Sequence, residues 1–393
     1  MSAEFYLRPA EKIKVVGITG TNGKTTISYL LEAILKEAGS SPAVIRTINY
    51  RFKDRVAPSK NTTPGPPELQ SMLSDMCKQD VDYLIMEVSS HALEQGRARE
   101  IDFHSAIFTN LTQDHLDYHK SMANYFRSKA RLFKDLKKEA FAVINVDDKY
   151  AKALMGLTKA KVVTYGLKDD VYVRAGDISF NTTKTDFLLC TKKIEERFSS
   201  RLIGRHNVYN LLAAIAWALE EEIELSVIKS AIQEFPSVPG RLERVGGGGG
   251  FSVFVDYAHT EDALKNVINT LRPISDKRII VVFGCGGERD RNKRPKMGRV
   301  VSELADYAII TNDNPRSEDP QRIIRDIVRG IKKQNYCVET NRRLAIRKSL
   351  SWAKEGDIVL VAGKGHEGYQ ILKDRVLVFD DRQVVRECLG LKS

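Results

Sequence analysis

The sequence lacks the features that would place the chain outside the cell or in a membrane. Its five cysteines, Cys77, Cys190, Cys285, Cys337 and Cys388, are scattered and form no C-x-x-C pair. That spacing argues against a disulfide framework and against a zinc site. No apolar run approaches the roughly 20 residues that a membrane-spanning helix needs. Residues 1–14 mix Glu, Arg and Lys and hold no apolar stretch of signal-peptide length, so the chain is expected to be cytoplasmic. There is no internal repeat, and no low-complexity segment beyond the glycines 246–250. The net charge of +11 raises the question of nucleic acid, but no aromatic–basic recognition motif accompanies it. The basic residues are spread along the chain and often sit beside acids, as in Lys134-Asp135 and Lys137-Lys138-Glu139. Neither nucleic acid nor a membrane is an expected partner. Solvated faces and the steering of a polyanionic small substrate account for the charge.

What is present is a globular composition, 42% apolar and 29% charged, over 393 residues, too many for one ordinary core. Strand-like and helix-like stretches alternate, which predicts an α/β, doubly wound pattern. Buried parallel strands are expected at 84–88, 105–109 and 140–145, with helices at 67–78 and 122–136 between them. Short alternating runs over 161–202 predict a small antiparallel patch, and 207–221 returns to helix. The punctuated stretch Phe235-Pro236-Ser237-Val238-Pro239-Gly240 marks the expected domain boundary. Glycines 246–250 read as a hairpin tip. Beyond them the α/β rhythm repeats, with strands at 251–255, 279–283, 307–311, 336–339 and 358–362.

The chain is organised around Val15-Val16-Gly17-Ile18-Thr19-Gly20-Thr21-Asn22-Gly23-Lys24-Thr25-Thr26. A β-branched run enters a glycine-rich turn that ends in Gly-Lys-Thr and opens a helix, expected over 27–38. Backbone N–H groups of such a loop converge on an anion. Lys24 reaches toward β- and γ-phosphates, and the Thr25 hydroxyl suits Mg²⁺. The loop is a variant, with glycines at 17, 20 and 23 and Ile18 where the common pattern has its first glycine.

Further polar clusters follow the expected strands, the edge at which open α/β sheets bind ligands. Glu87, in Met86-Glu87-Val88-Ser89-Ser90-His91, can hold Mg²⁺ beside phosphates or cap a helix. In Asp114-His115-Leu116-Asp117-Tyr118-His119, His115 is the candidate metal ligand and His119 reads as structural. Asn207 and Asn210 lie on one side of a helix start, which suits an adenine edge, or Asn207 simply caps that helix. In the second half, Asp256-Tyr257-Ala258-His259, Gly284-Cys285-Gly286-Gly287-Glu288-Arg289, Asp313-Asn314-Pro315-Arg316 and Gly363-Lys364-Gly365-His366-Glu367 each follow a strand. Arg289 and Arg316 can each grip a carboxylate, and Asp313 and Glu367 an ammonium. Such a set reads a zwitterion, an amino acid.

From Ile13 onward these residues resemble the Mur ligase family. The strings that carry the resemblance are Gly20-Thr21-Asn22-Gly23-Lys24-Thr25-Thr26, Asn61-Thr62-Thr63-Pro64, Glu87-Val88-Ser89-Ser90-His91, Asp114-His115-Leu116-Asp117 and Tyr257-Ala258-His259-Thr260. Asp313-Asn314-Pro315-Arg316 resembles the signature of the diaminopimelate-adding branch. The resemblance implies a central phosphate-loop ATPase domain over 1–237, with a mostly parallel doubly wound sheet, and a C-terminal Rossmann-like α/β domain over 238–393 that binds the amino acid. The implied reaction is ATP-dependent amide formation through an acyl phosphate, adding meso-diaminopimelate to UDP-N-acetylmuramoyl-L-alanyl-D-glutamate in peptidoglycan precursor synthesis. The alternative is a similar ligase acting on a different, non-uridine carboxylate.

The resemblance also implies site roles. Residues 20–26 would hold ATP, with Asn207 and Asn210 at adenine and Arg241 and Asp256 meeting the nucleotide from the second domain. Thr25, Glu87, His115 and a carbamylated Lys129 would ligate Mg²⁺. Lys24, Lys129, Glu87, His115 and Arg241 would carry the catalysis. Thr62, Thr63, Ser90 and Arg97 would contact the acceptor, and Arg289, Asp313, Asn314, Arg316, Gly363 and Glu367 the incoming diamino acid. One departure stands out: only residues 1–12 precede the first strand, where the family carries a UDP-holding domain. A separate chain supplying the UDP-binding function is therefore one expectation.

Overall fold

The computed structural model describes residues 2–59, 61–247, 250–275 and 277–391. The chain forms two compact units. One holds residues up to 236, apart from 180–184 and 202–204, which belong with residues from 237 onward.

Among the described residues, the first unit carries eleven strands in one sheet. Its centre is β1 (Lys14–Thr19), flanked in parallel by β5 (Tyr83–Glu87) and β6 (Phe103–Phe108). Every residue of β1 after Lys14 is buried, as expected of a parallel strand covered on both faces. Gly17, read in the sequence as part of the loop, lies inside this strand. A Cβ there would meet the Phe103 ring at 2.8 Å, so the glycine serves packing, and the loop proper begins at Gly20. On one side the sheet continues through β2 (Pro42–Ile45), parallel to β5, into the antiparallel edge strands β3 (Asn49–Phe52) and β4 (Arg55–Pro58). All three strands are short: β2 is a buried apolar run of only four residues, and β3 and β4 show no apolar run, the outermost being fully exposed.

On the other side come β7 (Phe141–Asn145), β8 (Lys161–Gly166) and β9 (Val173–Phe180), each parallel to the one before. Antiparallel pairing is seen between β10 (Thr185–Cys190) and β11 (Glu195–Ser200). The expected small antiparallel patch is thus the edge of the main sheet. Alternation reveals a half-buried strand but not the partner of the first strand in the run. The helix after the glycine loop spans Lys24–Glu37, three residues earlier than expected, because the left-handed Gly23 (φ 93°) is its N-cap. The helix Arg205–Glu220 likewise starts two residues early, which puts Asn207 inside it rather than at its cap.

In the second unit the sheet order is β12 (Glu243–Gly246), β13 (Ser252–Asp256), β17 (Ile358–Ala362), β14 (Ile279–Phe283), β15 (Tyr307–Ile310) and β16 (Tyr336–Val338). All neighbours are parallel except the edge pair β12–β13. Gly248 and Gly249 of the expected hairpin tip lie outside the described residues, while Gly246 opposes Val253 across the pair. A two-stranded hairpin, β18 (Tyr369–Ile371) with β19 (Val376–Val378), follows β17. The pleat sends alternate residues to two separate cores. Phe254, Val281, Ile310 and Leu360 pack on one face, and Val253, Val282, Ile309 and Val361 on the other.

Among the described residues, one ion pair has both side chains completely buried. Arg342 donates from Nε and Nη2 to the Asp381 carboxylate at 2.8 and 2.7 Å, and Nη2 also reaches the Ala362 carbonyl at 2.9 Å. The pair ties the last helix, Asp381–Leu389, to the end of β17. Asp381→Ala would strand a buried guanidinium, at a cost of about 3–5 kcal/mol. The expected outcome is a marked fall in the melting temperature of the second unit's transition, read by calorimetry. An unchanged transition would show that the pair carries no such stability.

Candidate functional site

In the first unit the candidate residues gather at the carboxyl ends of β1, β5 and β6. The loop 20–23 is held from behind. Thr21 N–H donates to the Asn110 carbonyl (2.8 Å), and Asn22 N–H to Asn110 Oδ1 (3.0 Å). The Asn22 carbonyl accepts from Thr109 Oγ1 (2.6 Å) and Asn110 Nδ2 (3.2 Å). Thr21 Oγ1 donates to the Thr112 carbonyl (3.2 Å), and Asn145 Nδ2 fixes the Thr109 carbonyl at 2.8 Å. Thr109 lies so close that a Cβ at Gly20 would overlap its hydroxyl, and Gly20 has φ 145°. Asn210 stands against Gly23 in the same way, and its Nδ2 donates to Asn207 Oδ1 at 3.0 Å. The two amides are therefore buried beside the loop.

Two amines converge on one carbonyl. Lys24 Nζ and Lys129 Nζ donate to Gly20 O at 2.9 and 2.8 Å, and Lys24 also reaches Thr21 O at 2.9 Å. Lys129 is buried in the helix Met122–Lys134. Burial, and then the Lys24 ammonium, hold its amine well below the ordinary lysine range. Lys129 also lies over the Tyr125 ring, 4.8 Å from its centre, and the Tyr125 hydroxyl is 3.2 Å from Thr21 Oγ1. His115, left-handed at φ 51°, faces the same ring at 6.2 Å. Thr25 and Thr26 are buried in the first helical turn behind the loop.

Glu87 ends β5 fully buried. Thr47 orients its carboxylate through N–H (3.3 Å) and Oγ1 (2.8 Å), and Thr62 Oγ1 lies 3.1 Å from the Thr47 hydroxyl. Thr63 donates to the Glu87 carbonyl at 2.9 Å, and Arg97 Nη1 to the Thr63 carbonyl at 3.1 Å. Ser90 Oγ is 2.9 Å from His119 Nε2, whose ring is buried with Nδ1 2.9 Å from Glu94. His119 is thus part of the packing. Among the described residues no group of three or more His, Cys, Asp or Glu side chains could hold a metal ion on its own.

In the second unit the polar clusters share one sheet edge. Asp256 accepts Leu242 N–H (2.6 Å) and Ala258 N–H (2.7 Å). Burial raises its pKa, opposed by the Arg241 guanidinium. Arg241 lies 4.8 Å from the Tyr257 ring centre, and its buried Nε has no hydrogen-bond partner among the described residues. Gly240 packs on the backbone of Gly365 and His366, too close for any Cβ. Asn314 donates to Glu367 (2.9 Å), and the buried Lys364 amine bridges Asn314 Oδ1 (3.2 Å) and Glu367 (3.0 Å). Asp313 is buried beside Gly363, where a Cβ would come within 2.8 Å of its carboxylate. Arg316 donates to the Gly287 carbonyl at 2.6 Å. A Cβ on Gly286 would lie 3.1 Å from Arg316 Nη1 and 3.8 Å from Arg289 Cγ, so both arginines flank that glycine.

Residues 18–218 match the family described as Mur ligase middle domain, and residues 240–365 the one described as Mur ligase, glutamate ligase domain. The chain belongs to the Mur ligase family. It is 46% identical over 391 residues to the UDP-N-acetylmuramoyl-L-alanyl-D-glutamate–2,6-diaminopimelate ligase of Clostridium botulinum, covering 99% of this chain and 80% of that one. A solved structure of a UDP-N-acetylmuramoyl-L-alanyl-D-glutamate–2,6-diaminopimelate ligase is 34% identical, with a TM-score of 0.74, over 99% of this chain and 82% of the other. The MurF ligase of Thermotoga maritima, solved in complex with ADP, shares the fold at 18% identity and TM-score 0.70, over 99% of this chain and 83% of the other. Nothing among these relatives supports a separate chain supplying a UDP-binding function.

Several residues that shape the Mur ligase site carry no motif of their own. Thr47 orients Glu87 from a segment the sequence leaves unassigned, and Asn145 acts through Thr109 from the end of β7. Asn110 is visible only as the residue that directly follows the strand expected at 105–109.

The buried amine leads to a stability prediction. With its folded pKa below the unfolded value, Lys129 is neutral in the fold while the unfolded chain is still protonated. Stability is therefore lost as pH falls from the ordinary lysine pKa toward the depressed one. In CO₂-free buffer Lys129→Met is expected to melt no lower than wild type at pH 7, with the difference narrowing toward pH 10. A lower melting point for the variant at pH 7 would contradict the burial penalty.

Proposed function

We propose that this Mur ligase joins meso-diaminopimelate to the D-glutamyl carboxylate of UDP-N-acetylmuramoyl-L-alanyl-D-glutamate, using ATP, as a cytoplasmic step of peptidoglycan precursor synthesis. Residues 1–237 form its ATP-binding part and 238–393 its amino-acid-binding part. The acceptor carboxylate attacks the γ-phosphorus, ADP leaves, and the amine then attacks the acyl phosphate carbon and expels phosphate. The observation that carries the reading is the pair Arg289 and Arg316 flanking Gly286, beside Asp313, Asn314 and Glu367. It provides cations for carboxylates and anions for ammonium groups at a single strand edge.

In the first unit, residues 20–26 bind the phosphate chain through the amides of the first helical turn, since those of Thr21 and Asn22 already donate to Asn110, and Lys24 swings from the loop carbonyls to the β/γ-phosphates. Asn207 and Asn210 approach the adenine. Arg241, with its buried and unpartnered Nε, and Asp256 meet the nucleotide from the second unit. Thr62, Thr63, Ser90 and Arg97 hold the acceptor.

The oxygen donors Thr25 and Glu87, with a carbamate on Lys129, fit a hard divalent cation, while His115 as a nitrogen donor suits contact through water. Mg²⁺ would neutralise charge on the phosphates when bound there. Carbamylation needs a neutral amine: Lys129 adds CO₂ and releases a proton, and its depressed pKa supplies the neutral form. The product is an anion beside the Lys24 ammonium, so the neutral amine of Lys129 is replaced by the partner of an ion pair.

Two experiments test the reading. Lys129→Ala is expected to be inactive in an ADP-release assay and partly restored by short carboxylates such as formate; full activity without rescue would remove the carbamate. For Arg316→Ala, loss of one charge-assisted bidentate contact costs about 1.5–3 kcal/mol, roughly ten- to a hundredfold. The half-saturating meso-diaminopimelate concentration should rise by that factor, and the preference over lysine should narrow in competition. If wild type prefers lysine, the assignment of the amino acid fails.

A further inference from the structure

Away from the strand edges, the second unit has a cavity of about 980 Å³ between the start of the helix Lys293–Leu304 and the helix Pro320–Val328. Its lining is basic: Arg291, Lys296, Arg322, Arg325 and Arg329 against one acid, Asp326. Three of the arginines lie at i, i+3 and i+7, one stripe of a helix. Nearby acids are outnumbered. Arg291 lies 3.3 Å from Glu318, Arg325 3.7 Å from Asp319, and Arg329 3.0 Å from Asp326. Lys296 and Arg322 have no acidic partner among the described residues, and all five cations are exposed.

The walls are fixed. A Cβ on Gly330 would overlap the Pro295 carbonyl, and one on Gly298 the Ile327 carbonyl, so the two helices touch backbone to backbone. Between them the buried Arg294 binds Glu318 (3.0 Å) and Asp326 (3.1 Å), consuming acid charge that would otherwise offset the cavity. A hollow with fixed backbone walls and exposed guanidinium forks around it matches phosphate oxygens, which such forks bind in pairs. Its concavity favours a compact ligand over a flat membrane surface.

We propose that this cavity is a second anion site, distinct from the phosphate loop, which binds a small molecule carrying a chain of phosphates. Its charge could come from inorganic polyphosphate or from a nucleoside triphosphate.

The test is calorimetric titration of the full chain with tripolyphosphate and, separately, with ATP. Wild type is compared with Lys296→Ser/Arg322→Ser/Arg325→Ser and with a control that removes three exposed lysines of the first unit, Lys138→Ser/Lys152→Ser/Lys159→Ser. Binding at the phosphate loop is common to all three. The expected result is loss of one binding site, or at least tenfold weaker binding there, in the cavity variant alone. Equal loss for both ligands identifies the phosphate chain as what is read, and a larger loss for ATP identifies a nucleotide. The proposal is overturned if the cavity variant binds tripolyphosphate within twofold of wild type, if the control loses as much, or if wild type binds only anionic vesicles or RNA through these residues.

Discussion

A loop can aim its amide N–H groups at an anion only if its carbonyl groups are satisfied from the other side. The structure of the first unit depends on that constraint. The Gly20 and Thr21 carbonyls take lysine amines, and the Asn22 carbonyl takes Thr109 and Asn110. Apart from Lys24, which opens the helix after the loop, the residues that do this come from the connection after β6, the neighbour of β1 in space. Strand order therefore matters as much as the glycines. With β1 inserted between β5 and β6, three strand ends deliver the loop, the Glu87 carboxylate and the Thr109–Thr112 clamp to one edge.

The same constraint explains where charge is stored. Placing two lysines on one carbonyl is unfavourable if both are protonated, and burial decides which yields. Lys129, in the middle of a packed helix, is the one whose burial pulls its pKa well down, with the Lys24 ammonium adding to the effect. The site thus keeps two amines of unequal proton affinity on the same oxygen. The Gly20 carbonyl has both as donors, so losing either lysine leaves it with the other.

The parts of this that are legible in the sequence are those encoded locally. The β-branched run, the Gly-Lys-Thr turn and the apolar strands of both units announce themselves through composition and period. So do the polar clusters at strand ends, because the position after a strand is itself a signal. The rest depends on partners distant in the chain. Gly17 reads as a loop glycine until Phe103 is seen against it. The strands β3 and β4 are hidden because edge strands need no apolar run, β2 because its apolar run is only four residues long, and β8 and β9 extend in parallel a sheet whose first strand starts at Lys14. Asn207 reads equally as a cap until the helix start is known, and Thr47 has no local pattern at all.

Arg316 shows how a site residue can be chosen against local preference. Its backbone is left-handed at φ 52°, a region that costs a non-glycine residue about 1–2 kcal/mol. Glycine would remove that strain, and it stands at Gly284, Gly286 and Gly287 across the same edge. What holds Arg316 in place is specific: its N–H donates to the Ile371 carbonyl of β18 at 3.1 Å, and its Nη1 to the Gly287 carbonyl. Ile371 in turn donates to Asn314 Oδ1 at 2.9 Å, so the hairpin and the loop brace each other. The glycines opposite leave the room that the guanidinium occupies, since a Cβ on Gly286 would press on Nη1. Strain on one strand end and missing side chains on the next are therefore two halves of one arrangement. Its effect is to hold the Arg316 guanidinium beside Gly286, opposite Arg289, at the edge that also carries Asp313, Asn314 and Glu367.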